Sequence, residues 1–572
     1  MMGARLARLL PAAAWPVALY LVVLLVAPVS VMALYSFWKA SFFTISHDFT
    51  LDNYLRIVDQ TLYLPLILRS LAIGVVVALI CVPLSYLVAF AVTFRFRRGG
   101  RTILILVMLS MLSSYLVRIY AWKTILGPQG AINQLLMSVG LVDEPLAFLL
   151  YGDFALIVTL THILVPYAVL PIYSAMQNID RQTLEASRDL GATASGTFWR
   201  VLLPQSMPGV TTAFIFCFIL AAADYVTPQL VGGKSGMMIG RVIADQYGMA
   251  GNPPFGAALS IGMMAGFALV LGLLALLRRP AARLFHHLLL AGGRQRRVGT
   301  RRRLNLRLVE GGTIALMVFL YAPLLIVLLF SFNAAPSGIF PIQGLTLRWY
   351  EELFASPVFG RALRTSLAIA AITVIGTLLI ATPAAFALVR RPFALKPILL
   401  GLILGPIAVP GVVIGVSLIS AVAVAGAQPG PTVTTLAHIL FTLPFVILVV
   451  RARLLDFDVQ IEEAARDLGA RPLTVLRTVT LPLIAPSLVG AGILVFALSI
   501  DEFIITNFVI GANATLPVMI WSQMRTGITP SVNAMSTVIL LTTLGLIALA
   551  GLVLWRRKTS GARAAGLLAA GT

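Results

Sequence analysis

The chain has 572 residues, of which 59% are hydrophobic and 11% charged, with a mean hydropathy of +0.97. No water-soluble core can hide that much apolar surface, so the composition excludes a soluble globular fold and leaves one whose side chains face lipid. The formal net charge of +21 would suit nucleic acid, but the basic residues fall in short clusters between apolar runs, as membrane orientation requires.

About 20 apolar residues cross a hydrocarbon core. In chain order the sequence predicts spans at 14–37, 66–93, 102–125, 153–176, 206–224 and 256–277, then at 311–333, 367–389, 398–425, 435–450, 484–502 and 536–555. The expected fold is an all-α polytopic membrane protein of twelve helices, six in each of two tandem repeats. The first run follows Arg5 and Arg8, is too long for a signal-peptide core and ends in Tyr35-Ser36-Phe37-Trp38, so it is expected to stay as a helix. Prolines such as Pro28, Pro83, Pro166, Pro323, Pro383, Pro410 and Pro444 are tolerated inside membrane bundles, where neighbours re-satisfy the freed backbone groups. Of the 42 Lys and Arg, 31 fall before residue 14, in 94–101, 177–205, 278–310, 390–397 and 451–483, or after 555. With both termini in the cytoplasm, a twelve-helix count places all of these clusters on that side. The expected organisation is a first repeat over 1–277, a basic linker over 278–310 containing Arg294, Arg296-Arg297 and Arg301-Arg302-Arg303, a second repeat over 311–558, and a tail over 559–572.

The halves share polar text. Glu185-Ala186-Ser187-Arg188-Asp189-Leu190-Gly191-Ala192 returns 278 residues later as Glu463-Ala464-Ala465-Arg466-Asp467-Leu468-Gly469-Ala470. The same offset relates Asp180 to Asp458, Pro204 to Pro482, Pro208 to Pro486 and Pro166 to Pro444. Near offset 296, Thr50-Leu51 and Tyr54 match Thr346-Leu347 and Tyr350, and Leu68-Arg69 with Ser70-Leu71 matches Leu363-Arg364 with Ser366-Leu367. In loops 177–205 and 451–483, good helix formers run up to Gly191 and Gly469, each suited to a positive φ that stops one short helix and starts another. Leu203-Pro204 and Leu481-Pro482 are expected to break the second piece before the fifth span.

Chemistry is sparse. There is no Gly-x-x-x-x-Gly-Lys-Ser/Thr loop, so no P-loop nucleotide hydrolysis is expected, and no catalytic set, metal site or cofactor is expected either. His162 and His438 lack the spacing of a metal site and read as capping or packing groups. Cys81 and Cys217 read as packing residues inside spans of the first half.

Glu-Ala-Ala-x-x-x-Gly with Leu-Pro about a dozen residues on resembles the signature of the permease subunits of binding-protein-dependent ABC importers, with Ser187 in place of the second Ala in the first copy. The resemblance covers essentially the whole chain, one permease domain per half. It implies a non-catalytic subunit of a bacterial inner membrane, with two copies of a separate ATPase, a periplasmic solute-binding protein, and no nucleic acid. It further implies that Glu185, Ala186, Arg188, Asp189, Gly191 and Pro204, with Glu463, Ala464, Arg466, Asp467, Gly469 and Pro482, form the coupling segments that dock on the ATPase. The first half is similar to the first permease of spermidine/putrescine importers in Ser114-Tyr115-Leu116-Val117-Arg118 with Ala121-Trp122, in Gly127-Pro128-Gln129-Gly130, and in Asp224-Tyr225-Val226-Thr227-Pro228-Gln229. The second half is similar to the companion permease in Arg390-Arg391, Phe496-Ala497-Leu498-Ser499-Ile500-Asp501-Glu502-Phe503 and Leu516-Pro517-Val518-Met519-Ile520-Trp521. A small cationic solute, a polyamine, is the expected cargo; permeases for ferric ion, thiamine, phosphonates and opine-like compounds share the architecture.

Asp224 falls on Glu502 under the 278 offset, with Asp501 adjacent, near the ends of the fifth spans. Ionisable groups at membrane depth are functional candidates. With Tyr115, Trp122, Tyr225 and Phe503 for cation–π contact, they suit a polycation. The alternative is that these carboxylates pair with Arg118, Lys123 or Arg525. A secondary transporter would also fit two six-helix repeats, and would be expected to carry discontinuous helices and midplane charges.

Overall fold

Apolar runs of 24 to 34 residues with few charges satisfy their own backbone groups by forming helices, the arrangement a bilayer demands of a spanning segment. The computed structural model describes residues 11–41, 44–96, 99–291, 306–335, 342–526, 530–545 and 548. Among these, nine helices are long and apolar enough to cross a membrane: Ala12–Tyr35, Tyr63–Arg95, Asp153–Gln177, Ala194–Ala222, Pro253–Leu277, Arg307–Phe330, Pro357–Arg390, Pro431–Leu455 and Pro472–Asp501. Two bent pairs raise the number to eleven. The remaining predicted span, 536–555, is described only over 536–545 and 548, and the tail and linker residues 292–305, including Arg294 and Arg301, lie outside the described residues.

The third span of each half departs from expectation. Gly100–Met111 meets Tyr115–Ser138 at 89°, and Lys396–Ala408 meets Gly411–Val424 at 102°. The breaks fall at residues with extended backbone, Ser114 (ψ 133°) and Val409-Pro410 (ψ 127° and 141°). Pro410 disfavours the helical conformation at Val409, consistent with the second break. Leu203-Pro204 and Leu481-Pro482 depart in the other direction. Instead of breaking, the helix continues through a π turn, Phe198–Leu202 or Leu476–Thr480, directly into the fifth span. The wider turn lies where the proline ring would clash with the preceding carbonyls, and it absorbs that conflict. Among the described residues the one sheet is a hairpin of Lys39–Ser41 and Thr44–Ser46, outside the all-helical expectation.

Two compact units form, one of residues 33–349 with 524–534, the other of 1–32 with 350–523 and 535–572. In the first unit, Tyr63–Phe90, Asp153–Gln177 and Leu203–Ala222 pack together. Gly74 faces Ala222, where a Cβ would stand only 2.6 Å from the alanine Cβ, the small-residue contact that lets membrane helices approach closely. The helix Leu306–Phe330 joins this unit: its Leu320 carbonyl lies 3.1 Å from His162 Nε2, and Tyr321 donates to the Leu106 carbonyl at 2.6 Å. In the second unit, Pro357–Arg390, Pro431–Leu455 and Leu481–Asp501 pack around Ala384, Leu440, Leu443 and Ile447. Ala14, Val17, Leu21 and Leu25 of the chain's first helix are buried in that core, and Tyr20 donates to the Leu436 carbonyl at 2.7 Å. Each unit therefore takes its leading helix from the opposite half of the chain.

The matches near offset 296 have a structural cause. Thr50 and Thr346 each accept a bond from the amide two residues on, at 3.1 Å, opening the short helices Asp52–Asp59 and Arg348–Ala355. Ser70 and Ser366, both buried, accept from the amides of Ile239 and Leu516, 2.9 and 2.8 Å away. Each pins the start of a short helix that lies beyond the fifth span, Ile239–Tyr247 or Leu516–Thr526.

Candidate functional site: two repeated loops and two buried carboxylates

The repeated octapeptides form one structure built twice. Asp180 accepts from the Gln182 amide at 2.9 Å and Asp458 from the Gln460 amide at 3.0 Å, each capping the short helix that follows, Arg181–Asp189 or Gln460–Asp467. Gly191 and Gly469 end these helices at φ 83° and 84°. Each turn carries the same bond pair, Gly191 to Arg188 and Ala192 to Ser187, then Gly469 to Arg466 and Ala470 to Ala465, which satisfies the last carbonyls of the helix. Glu185, Ala186, Arg188 and Asp189 are exposed, as are Glu463, Ala464, Arg466 and Asp467. Pro204 and Pro482 lie beyond, inside continuous helix.

Asp224 and Glu502 are also built alike, each with its side chain buried where its fifth span ends. Asp224 Oδ1 accepts from the Tyr115 hydroxyl at 2.6 Å and the Val226 amide at 2.9 Å, and Thr227 Oγ1 donates to Oδ2. Glu502 accepts from the amides of Ile505 and Thr506 and from Thr506 Oγ1, at 2.8, 2.9 and 2.8 Å. His438 Nε2 lies 3.5 Å from Glu502 Oε2 and 2.7 Å from Thr506 Oγ1, while Nδ1 meets Ser499 Oγ at 2.7 Å. Both carboxylates thus receive backbone and hydroxyl donors from the turn that follows them. Of the basic residues weighed as partners, Arg118 donates to the Ile163 carbonyl at 3.2 Å and Lys123 to the Met524 carbonyl at 3.3 Å.

The aromatic candidates lie inside their own units. Tyr225 is buried, Trp122 packs against His162 and Phe319, and buried Phe503 has its ring centroid 5.1 Å from that of Trp521. Asp501 is half-buried at the end of its helix. Cys81 and Cys217 are free, buried thiols.

A protein family described as binding-protein-dependent transport system inner membrane component matches residues 1–285 and 377–556. The chain belongs to this family. It is a multi-pass inner-membrane permease component of an ABC importer, and members of the family work with an ATPase and a solute-binding protein as non-catalytic membrane subunits. The permease is 34% identical over 238 residues to the spermidine/putrescine transport system permease protein PotB of Salmonella typhimurium (strain SL1344), covering 42% of this chain and 81% of that protein. It is 36% identical over 257 residues to the spermidine/putrescine transport system permease protein PotC of Escherichia coli (strain K12), covering 45% of this chain and 97% of that one. The permease is a fused two-repeat protein resembling that polyamine pair. The crystal structure of a bacterial ABC transporter involved in the import of the acidic polysaccharide alginate aligns with 46% of this chain and 93% of its own at 17% identity, with a TM-score of 0.40. Family membership decides against a secondary transporter; the broken third spans, expected of that class, occur here as well.

Two features of the permease loops escape motif reading. Leu190 and Leu468, 88% and 90% exposed, stand at the tip of each short helix just before the glycine. Their signal was in the repeat itself, a leucine kept twice in an otherwise polar octapeptide. Glu462 is the other. It is buried one residue before the repeated text and is bonded to Arg390.

Proposed function

We propose that this permease imports a polyamine such as spermidine or putrescine. Two ATPase copies would dock on loops 177–205 and 451–483, and a periplasmic binding protein would deliver the solute. The observation that carries this is similarity to both PotB and PotC within one chain, at 34% and 36% identity. Glu185, Arg188, Asp189, Glu463, Arg466 and Asp467 would make polar contacts with the ATPase, and Leu190 and Leu468 would supply an apolar knob for each. Burying one such leucine contributes about 1.5–3 kcal/mol. Tyr115, Trp122, Asp224, Tyr225, Asp501, Glu502 and Phe503 would border the solute route, the carboxylates both shaping their turns and giving the wall a negative potential that favours a polycation. Closure of the ATPase pair on ATP would move the loops and switch the halves as rigid bodies. Proteoliposomes holding the permease, its ATPase and its binding protein should take up labelled spermidine or putrescine on addition of ATP. Uptake of neither would remove the substrate assignment.

The orientation that goes with this places both repeated loops and both termini in the cytoplasm. Ser195→Cys and Thr474→Cys, at exposed loop positions, should resist a membrane-impermeant maleimide in intact cells, while exposed Ser235→Cys should react. Labelling of Ser195→Cys from outside would overturn it.

A further inference from the structure

Each repeated loop is seated on its helix bundle by a small cluster, and the two clusters differ in chemistry. In the first half Ile179, Leu184 and Leu202 are buried together, with Phe90, Phe94, Phe198 and Val201 packed around them. The offset of 278 carries Ile179, Leu184, Phe198, Val201 and Leu202 onto Phe457, Glu462, Leu476, Val479 and Thr480. The offset of 296, anchored by Ala89-Phe90-Ala91 on Ala385-Phe386-Ala387, carries Phe94 onto Arg390. Four of the seven positions stay apolar. The other three change together: Phe94, Leu184 and Leu202 become Arg390, Glu462 and Thr480.

Those three are the ones that bond to each other. Arg390 Nη2 lies 3.2 Å from Glu462 Oε1, and Thr480 Oγ1 donates to the same oxygen at 2.8 Å. The Arg390 guanidinium also lies 5.3 Å from the ring centroid of Phe457. Glu462 is 7% exposed, so its carboxylate sits where an unpaired charge is costly. Its second oxygen, Oε2, is 3.6 Å from Arg466, a member of the exposed repeated segment. Glu462 thus joins the end of the membrane helix Pro357–Arg390, the start of the fifth span, and the face offered to a partner.

We infer that Glu462 is a positioning residue that clamps the second coupling segment to its bundle through Arg390 and Thr480, where the first half uses an apolar clamp, so the two ATPase docking arms are chemically unequal. This rests on the proposal that the repeated loops dock the ATPase. A buried ionic set can be exchanged for apolar residues of similar volume with little loss, whereas removing one partner strands the other. The two halves supply that exchange ready-made.

The test uses the full-length permease with its ATPase. Glu462→Leu alone should reduce co-purification of the ATPase at least fivefold and expose Arg466 to trypsin at least fivefold faster. The triple variant Arg390→Phe, Glu462→Leu, Thr480→Leu, which installs the first-half set, should return both to within twofold of the unchanged protein. Wild-type behaviour of Glu462→Leu, or a triple variant no better than the single one, would overturn the clamp. Should Glu462→Leu fail to accumulate in the membrane, recovery of the triple variant with normal protection still supports the clamp, and its failure to recover sinks it. If the unchanged permease retains no ATPase, the docking proposal fails, and the trypsin comparison on the permease alone still judges the clamp.

Discussion

Gly191→Val and Gly469→Val should each lower retention of the ATPase about tenfold or more, while Gly191→Asn and Gly469→Asn should stay close to the unchanged protein. Both glycines sit in the left-handed region, φ 83° and 84°, which costs an L residue roughly 1–2 kcal/mol and a β-branched one more. Asn tolerates that region far better. Nothing stands within 4 Å of where either Cβ would be, so space is not at issue and the loss isolates the backbone. Co-purification with the ATPase measures it. Equal retention in the Val and Asn variants would separate the turn from docking.

Asp224→Ala should sharply reduce the folded permease recovered from membranes, with Glu502→Ala close behind. Removing the Asp224 carboxylate takes away the acceptor shared by the Tyr115 hydroxyl, the Val226 amide and the Thr227 hydroxyl. Each buried hydrogen bond lost costs about 1–3 kcal/mol, so a loss of roughly 3–5 kcal/mol is expected, enough to unfold a marginal protein. The milder Asp224→Asn and Glu502→Gln keep an acceptor oxygen but drop the charge. Normal recovery with reduced polyamine uptake would assign the negative charge to the solute. Reduced recovery, with uptake per folded molecule unchanged, would assign it to the turn alone.

Helix placement was legible from composition because lipid imposes one rule on every span, a run of apolar residues long enough to cross. The breaks in the third spans were not, since Ser113-Ser114 carries no strong local signal and Pro410 resembles the prolines that other helices absorb. Leu-Pro misled in the opposite sense, because a π turn needs only a small change in helix winding and leaves no residue signature. The loops were readable in their polar text and their glycines, which have one conformational use here. Their seating was not, because Phe94 with Leu184 and Arg390 with Glu462 are joined across 90 and 72 residues of sequence. The role of Asp224 and Glu502 was half visible: burial and polarity marked them, but whether donors come from a turn or a solute is a matter of geometry.

The exchange of leading helices sets a timetable for biosynthesis. Ala14, Val17, Leu21 and Leu25 leave the ribosome early, yet the surface that receives them includes Ala381, Ala384 and Leu440, made more than 350 residues later. At roughly 5–20 residues per second the wait is on the order of tens of seconds. Throughout it this helix lacks its final packing partners. The bundle of the earlier half is likewise incomplete until Leu306–Phe330 arrives to meet His162 and Leu106. Neither half can reach its final packing from its own residues, and carrying both on one polypeptide keeps each leading helix tethered to its destination at high effective concentration.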